Sequence, residues 1–195
     1  EWQSGPSTEK IGHQAIWVQG GRSPGTYITH SNGNDPDDTI GTYFVADTSA
    51  DARPLLSHSQ PTQGWSRYIY WLEGDRAIRF VPLEGPGRVG AVRSVDAPWP
   101  KVDLVSVGIT DPEGGMHVPV WVPAPRGPKG EIKILSWYER EIPRFRSVVG
   151  LKQPVEQATT AIDGAGNLRL VLLHDGNLDL YTLDTTKGNQ LPANG

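Results

Sequence analysis

The segment LRLVLLHDGNLDLYTLD, residues 168–184, contains two runs rich in apolar residues on either side of a tight turn signal. The turn reads His-Asp-Gly-Asn at 174–177. An Asp-Gly pair favours a short hairpin turn, because Gly adopts positive φ at no steric cost and Asp tolerates the left-handed region. The segment therefore predicts a β-hairpin.

Three other stretches of the chain, at 13–30, 67–83 and 117–138, have the same form of strand, Gly-containing turn and strand. The four hairpins can be aligned on the large residue near the end of the first strand. The aligned residues lie 54, 50 and 51 positions apart and are Trp17, Trp71, Trp121 and Leu172. A large apolar residue repeated at one position is expected to be a packing residue. The hairpin is therefore predicted to be part of a unit that recurs about every 50 residues.

Segments that follow the hairpins predict additional strands at 42–46, 89–95 and 146–151. Helical periodicity is nearly missing, and the best helix candidate, 136–145, is interrupted by Pro143. Each unit is therefore predicted to contain three or four antiparallel strands, and the chain is predicted to be all-β.

Antiparallel meanders of this size, stacked side by side, are typical of propeller blades. The period and the hairpin pattern resemble the β-propeller superfamily, and the length is similar to lectin-like and hemopexin-like members. The resemblance implies a single all-β repeat domain, 1–195, with about four blades near 1–50, 51–100, 101–150 and 151–195. A β-sandwich is the alternative; it explains the alternation of apolar residues but not the period.

The two ends of the repeat array are incomplete in the sequence pattern. No clear strand precedes His13, and none follows Asp184. Three ways of completing the sheets stay open: the N-terminal residues 1–12 finish the fourth blade, a partner chain or second copy does so, or the four blades belong to a larger propeller. The start at Glu1, with Met116 as the single methionine, leads us to expect a processed product or an excised domain.

Composition restricts the classes of partner and chemistry. The chain has 22 acidic and 18 basic residues and no dense run of Lys or Arg, so no nucleic-acid partner is expected. No apolar stretch is long enough to predict a membrane span. The absence of cysteine excludes disulfides, thiolate zinc sites and a cysteine nucleophile, and it fits an extracellular or secreted protein.

Polar residues recur at the first position of the hairpins. Counting four positions back from the aligned residues gives His13, Arg67, His117 and Leu168. In a propeller such a strand end can face a channel mouth, where the first three could hydrogen-bond a carboxylate, a phosphate or a sugar hydroxyl. The alternative interpretation is an ordinary solvated strand end.

Two tryptophans fall in predicted loops, Trp65 in QGWSR and Trp99 in DAPWPK. A loop tryptophan flanked by Gly or Pro can serve as a stacking platform for a sugar ring. The alternative is that the ring anchors its loop to the sheet. Together with His13, Arg67 and His117, these two residues form the predicted ligand-binding set.

The segment 31–41, SNGNDPDDTIG, carries several oxygen ligands at close spacing. Asn32, Asn34, Asp37 and Asp38 are candidate ligands for Ca²⁺, because hard cations prefer carboxylate and amide oxygens. A polar turn is the alternative, since Pro36 interrupts the spacing of an EF-hand loop. No other cofactor is expected.

The common catalytic motifs, Gly-x-Ser-x-Gly, His-Glu-x-x-His and the P-loop, do not occur in the sequence. The sequence therefore favours a non-catalytic binding module that recognises a glycan or a partner protein through propeller loops. Two alternatives stay open: a carbohydrate-active propeller enzyme, either a glycoside hydrolase or a polysaccharide lyase, and a structural subunit or fragment of a larger propeller assembly.

Overall fold

The computed structural model of the chain describes residues 2–4, 11–18, 25–32, 35–49, 52, 54–57, 68–85, 88–105, 108–110, 115–138, 141–149, 151, 154–162, 167–183 and 190–194. For 2–4, 11–18, 29–32, 35–41, 84–85, 149, 161–162, 168 and 190–194 it describes the course of the backbone alone.

All regular elements in these ranges are β-strands, which confirms the all-β prediction. The helix candidate at 136–145 is not helical in its described part, where it contributes the end of one strand and the beginning of the next. No helix in the described part of the chain has the length and apolar character needed to cross a membrane. Contacts divide the chain into two compact units, Glu1–Asp96 and Ala97–Gly195.

The described residues of the first unit form two sheets. In its described residues, the first sheet has four antiparallel strands in the order β1-β2-β3-β4. The second has the order β5-β6-β7-β8, with β9 also paired to β7. The strands are β1 (Trp2–Ser4), β2 (Ile11–Val18), β3 (Gly25–Asn32), β4 (Asp35–Ala46), β5 (Leu55–Leu56), β6 (Tyr68–Glu73), β7 (Ala77–Gly85), β8 (Arg88–Val89) and β9 (Arg93–Asp96).

Strand β6 lies at the centre of the first unit's packing. Its first four residues are buried in succession, so both faces of the strand are covered. Ile69 and Trp71 point to one face and pack in a cluster with Ile28 of β3 and Val81 of β7. Trp71 is fully buried, which confirms for this position that the aligned tryptophan is a packing residue.

The second unit contains two meanders. The first is β10 (Asp103–Leu104), β11 (Ile109–Thr110), β12 (Met116–Pro123), β13 (Gly130–Trp137) and β14 (Arg144–Val149), and the second is β15 (Gln157–Ile162), β16 (Leu168–His174), β17 (Asn177–Leu183) and β18 (Gln190–Asn194). Parallel pairing of β14 with β18 joins them into a sheet that has nine strands in the described residues.

The four predicted hairpins are confirmed as β2–β3, β6–β7, β12–β13 and β16–β17, each antiparallel. The predicted strands that follow the first three hairpins are present as β4, β8 with β9, and β14. The described residues thus form several antiparallel sheets, and none of these sheets closes on itself.

The two ends differ from the sequence-based expectation. Trp2–Ser4 forms β1 and pairs with β2 of its own sheet, so it does not complete the fourth meander. Strand β18 follows β17, pairs with it at Thr182 and Leu183, and supplies the strand that was missing from the pattern. A strand of three residues shows too little alternation to be detected in a sequence, and β18 contains a proline.

The fourth hairpin has two faces of different exposure. Asp175 and Gly176 adopt positive φ, at 46° and 77°, as a tight hairpin turn requires. Leu172 is 0% exposed and packs in the core, whereas Leu178 on the partner strand is 74% exposed. Because side chains alternate along a strand, a shift of one residue would exchange these two environments.

Replacing these two leucines tests the hairpin register. Leu172→Ala is expected to lower the free energy of unfolding by about 2–5 kcal/mol, since it leaves a cavity in the core. Leu178→Ala is the matched control and is expected to change it by less than about 0.5 kcal/mol. Urea denaturation followed by circular dichroism measures both values, and the reverse order would mean that the register is shifted by one residue.

Candidate ligand-binding cleft

Of the predicted ligand-binding residues, Trp99 lies on the wall of a cavity. It belongs to the segment between β9 and β10, where Ala97 is buried and Pro98 is exposed. The indole ring packs edge-on against Phe145 of β14, with ring centroids 5.2 Å apart and an angle of 86° between the planes. This contact fixes the orientation of a half-buried ring, so Trp99 both anchors its segment and presents a surface to the cavity.

The cavity is an open cleft of about 710 Å³ within the second unit, and we call it the Trp99 cleft. This volume is in the range of sites that bind small ligands or several peptide side chains. Most of the wall is apolar, and proline is the most frequent residue. The cleft is lined by Trp99, Pro100, Lys101, Val122, Pro123, Ala124, Pro125, Gly130, Glu131 and Pro154.

The β12–β13 hairpin forms one side of the cleft because of its glycine and proline residues. The turn is closed by a hydrogen bond of 2.8 Å that Ala124 N–H donates to the carbonyl of Lys129. A Cβ atom at Gly130 would lie 2.5 Å from the ring of Trp121 and 2.6 Å from the carbonyl oxygen of Val122, so only glycine fits there. The close approach lets Trp121 pack below the hairpin against the core.

A short contact between two chain segments positions Pro154, the last residue of the cleft wall in chain order. Gly130 and Val155 exchange two backbone hydrogen bonds of 2.9 Å each. Val155 is fully buried in the core cluster. The two hydrogen bonds and the core packing fix the position of Val155. Its neighbour Pro154 therefore lies beside the beginning of β13 and completes the cleft.

The charged groups around the cleft are mostly paired. Glu131 forms an ion pair with Lys133, with 2.9 Å between Oε2 of the glutamate and Nζ of the lysine. Lys129 lies 2.9 Å from Asp175 and 3.8 Å from Glu156. The hydrogen bond from Lys129 lowers the pKa of Asp175, and the same bond raises the pKa of the lysine.

Lys101 differs from these lysines. Its side chain is exposed, it lines the cleft two residues after Trp99, and it makes no ion pair with any residue that the structure describes. An ammonium group next to an apolar wall is thus available to a ligand. Lys101 was not among the predicted ligand-binding residues, although its place in DAPWPK, directly after the Trp-Pro pair, was a signal.

His117 lies away from the cleft wall. It is fully buried in β12, and its Nδ1 atom is 2.9 Å from the hydroxyl of Ser136 on the opposite strand. Its ring packs edge-on against Tyr138, with the centroids 6.3 Å apart. His117 therefore contributes to the interior of the sheet, and its role in ligand binding stays a prediction.

The structure does not test the three other predicted ligand-binding residues. His13 belongs to β2, where it is opposite Gln3 and His30, and only its backbone is described. Arg67 and Trp65 lie outside the described residues.

Three of the four candidate calcium ligands belong to strands. Asn32 ends β3, whereas Asp37 and Asp38 belong to β4; for all three the backbone alone is described, and Asn34 lies outside the described residues. Among the side chains that the structure describes, no three metal-ligating groups come together. The calcium site stays a prediction.

Comparisons of the chain with protein-family models, with curated proteins and with solved structures found no match. The function is therefore inferred from the chemistry of the cleft. An apolar wall, a fixed indole ring and an ammonium group that forms no ion pair with a described residue can bind a ligand that has an apolar body and few hydrogen-bonding groups of its own.

Proposed function

We propose that the protein is a non-catalytic binding module that recognises a partner protein by holding an extended, proline-containing apolar segment in the Trp99 cleft. The observation that carries this proposal is the indole ring of Trp99, fixed by Phe145 at the wall of a proline-lined cleft. Proline-rich segments adopt a preformed extended helix and lose little entropy when they dock on aromatic grooves. Trp99 makes no hydrogen bond to another described residue, so its indole N–H is available to a carbonyl of the segment.

The hydrogen-bonding groups of the cleft favour a peptide over a glycan. The four prolines of the wall have no N–H group, and the N–H groups of Ala124 and Gly130 already donate to other carbonyls. A sugar in the cleft would leave several hydroxyls without partners, which costs free energy. A proline-rich segment has few donors itself and loses less on burial.

A glycan is the second candidate, because the exposed part of the Trp99 ring could stack on the C–H face of a sugar. The enzyme alternative gains less support. A glycoside hydrolase uses two carboxyl groups on opposite sides of the scissile bond. Among the residues that line the Trp99 cleft, Glu131 is the single carboxylate, and it is paired with Lys133.

We also propose that the four meanders are arranged as the blades of a propeller. The support is the order of the strands, since each quarter of the chain forms an antiparallel meander around one hairpin. The pairing of β14 with β18 is a departure, because blades of a propeller are separate sheets. The exposed Leu178 and Leu180 keep the alternative of a larger assembly open.

The mass of the protein in solution tests the propeller arrangement. Four blades that close on themselves need no other chain, so light scattering is expected to give the mass of one chain, 21.3 kDa. A dimer that persists on dilution would contradict closure within one chain and would favour completion by a second copy.

Selection of peptides tests the proposed function. A displayed library of random dodecapeptides, selected on the parent protein, is expected to yield sequences with proline and leucine. Trp99→Ala is expected to weaken binding of an enriched peptide about tenfold or more in calorimetry, since a central aromatic side chain dominates such interfaces. Phe44→Ala removes an exposed aromatic ring of the first unit and is the control, with no expected effect.

Two results would contradict the proposal. The first is that the parent protein enriches no peptide, and the second is that Trp99→Ala binds the enriched peptide as tightly as the parent does. If an oligosaccharide array binds the parent through Trp99 while no peptide is enriched, the glycan candidate replaces the peptide. Circular dichroism of each variant checks that the fold is retained.

A further inference from the structure

One of the two charges that line the Trp99 cleft is neutralised by another side chain of the protein, and the other has no partner among the described residues. Two charged side chains line the cleft, Lys101 and Glu131. Glu131 is engaged by the ammonium group of Lys133 at 2.9 Å, so its charge is compensated within the protein. Lys101 has no such partner among the described residues, and its positive charge is the one that the cleft presents to a ligand.

The surroundings of the cleft do not remove this charge. Asp103 is exposed on β10, two residues after Lys101, but it does not line the cleft and forms no ion pair with Lys101. The carboxylates of Asp175 and Glu156 are both directed to Lys129. The β12–β13 turn adds a second exposed cation, Arg126, which makes no ion pair with the described residues.

We infer that the segment bound in the Trp99 cleft carries an acidic residue at a fixed position beside its apolar part, and that this carboxylate pairs with Lys101. The inference rests on the proposed function and names the kind of partner: an acidic, proline-containing peptide. Complementary charge supplies selectivity and faster association more than affinity, so the apolar wall binds the segment and Lys101 selects it.

The position of the acidic residue follows from the backbone between Trp99 and Lys101. The residue between them is Pro100, whose ring restricts φ to about −65° and stiffens the pair. Two residues of extended chain span at most about 7 Å. A proline of the ligand that packs on Trp99 therefore places the acidic side chain within about two residues of itself, given the rise of about 3.1 Å per residue in an extended proline helix.

A basic or neutral segment fits the same wall less well. A cation on the ligand would approach Lys101, which repels it, and would share Glu131 with Lys133, which already neutralises that carboxylate. A neutral segment would gain the apolar contacts alone. The cleft therefore discriminates among proline-containing segments by charge, partly through repulsion of the wrong partner.

The dodecapeptide selection tests this inference when it is repeated on charge variants. The parent is expected to enrich peptides with Asp or Glu within two residues of a proline. Lys101→Glu is expected to lose that preference and to enrich Lys or Arg at the same position. Arg126→Gln is the matched control, because it removes an exposed cation of the same region that does not line the cleft, and it is expected to keep the acidic position.

Calorimetry on one enriched peptide gives the size of the effect. Replacing its acidic residue by the amide is expected to weaken binding to the parent about two- to fivefold, as for an exposed ion pair, and the difference is expected to shrink in high salt. With Lys101→Gln, the acidic peptide and its amide form are expected to bind equally.

The possible failures are separable. Two results would overturn the pairing with Lys101 and leave the proposed function intact. The first is that the enriched peptides contain proline but no acidic position. The second is that the acidic position is lost with Arg126→Gln but kept with Lys101→Glu. Failure to enrich any peptide would overturn the proposed function as well. Binding of uronic acid oligosaccharides that depends on Lys101, without peptide binding, would assign the same charge to a glycan.

Discussion

Burial of alternate side chains in the hairpins is the constraint on which the rest of the structure depends. In the second unit, Leu170 and Leu172 of β16 pack in one cluster with Ile132 and Ile134 of β13. A hairpin alone has an apolar face that water would contact, and these described side chains lose that contact by packing against other strands. Because the side-chain period is two, burial of one face fixes the register of every strand in the hairpin. The positions of the loop residues then follow from the register.

The Trp99 cleft is a consequence of how the third hairpin ends. At Gly130 the chain approaches Trp121 so closely that a side chain would not fit, and the same residue pairs with Val155. These contacts bring the β12–β13 turn next to the chain before β15, and the segment that carries Trp99 packs on Phe145 and lines the same cleft. Proline is suited to such a surface because it stiffens the wall and adds apolar area without donors. In the proposed function, the apolar wall binds the segment by shape, and Lys101, which forms no ion pair with a described residue, selects it by charge.

Sequence reasoning reaches the features that local patterns specify. The hairpins follow from alternation and Gly-containing turns, and the burial of Trp71 and Leu172 follows from their alignment. Strand β1 and the parallel pairing of β14 with β18 could not be predicted, since three residues carry little pattern and pairing between distant strands has no local signal. Trp99 was selected because its neighbours are prolines, but the pairing state of Lys101 depends on tertiary contacts. An extracellular location stays a prediction.

The central claim is that the binding site is the Trp99 cleft. Nuclear magnetic resonance of isotope-labelled protein, titrated with an enriched dodecapeptide, tests it most directly because it shows all surfaces in one experiment. The account predicts that the largest shifts occur at the indole N–H of Trp99 and at the backbone amides of Val122, Ala124 and Glu131. Shifts concentrated instead around the exposed Leu178 and Leu180 of β17 would contradict it and would place the interaction on the open face of the fourth hairpin.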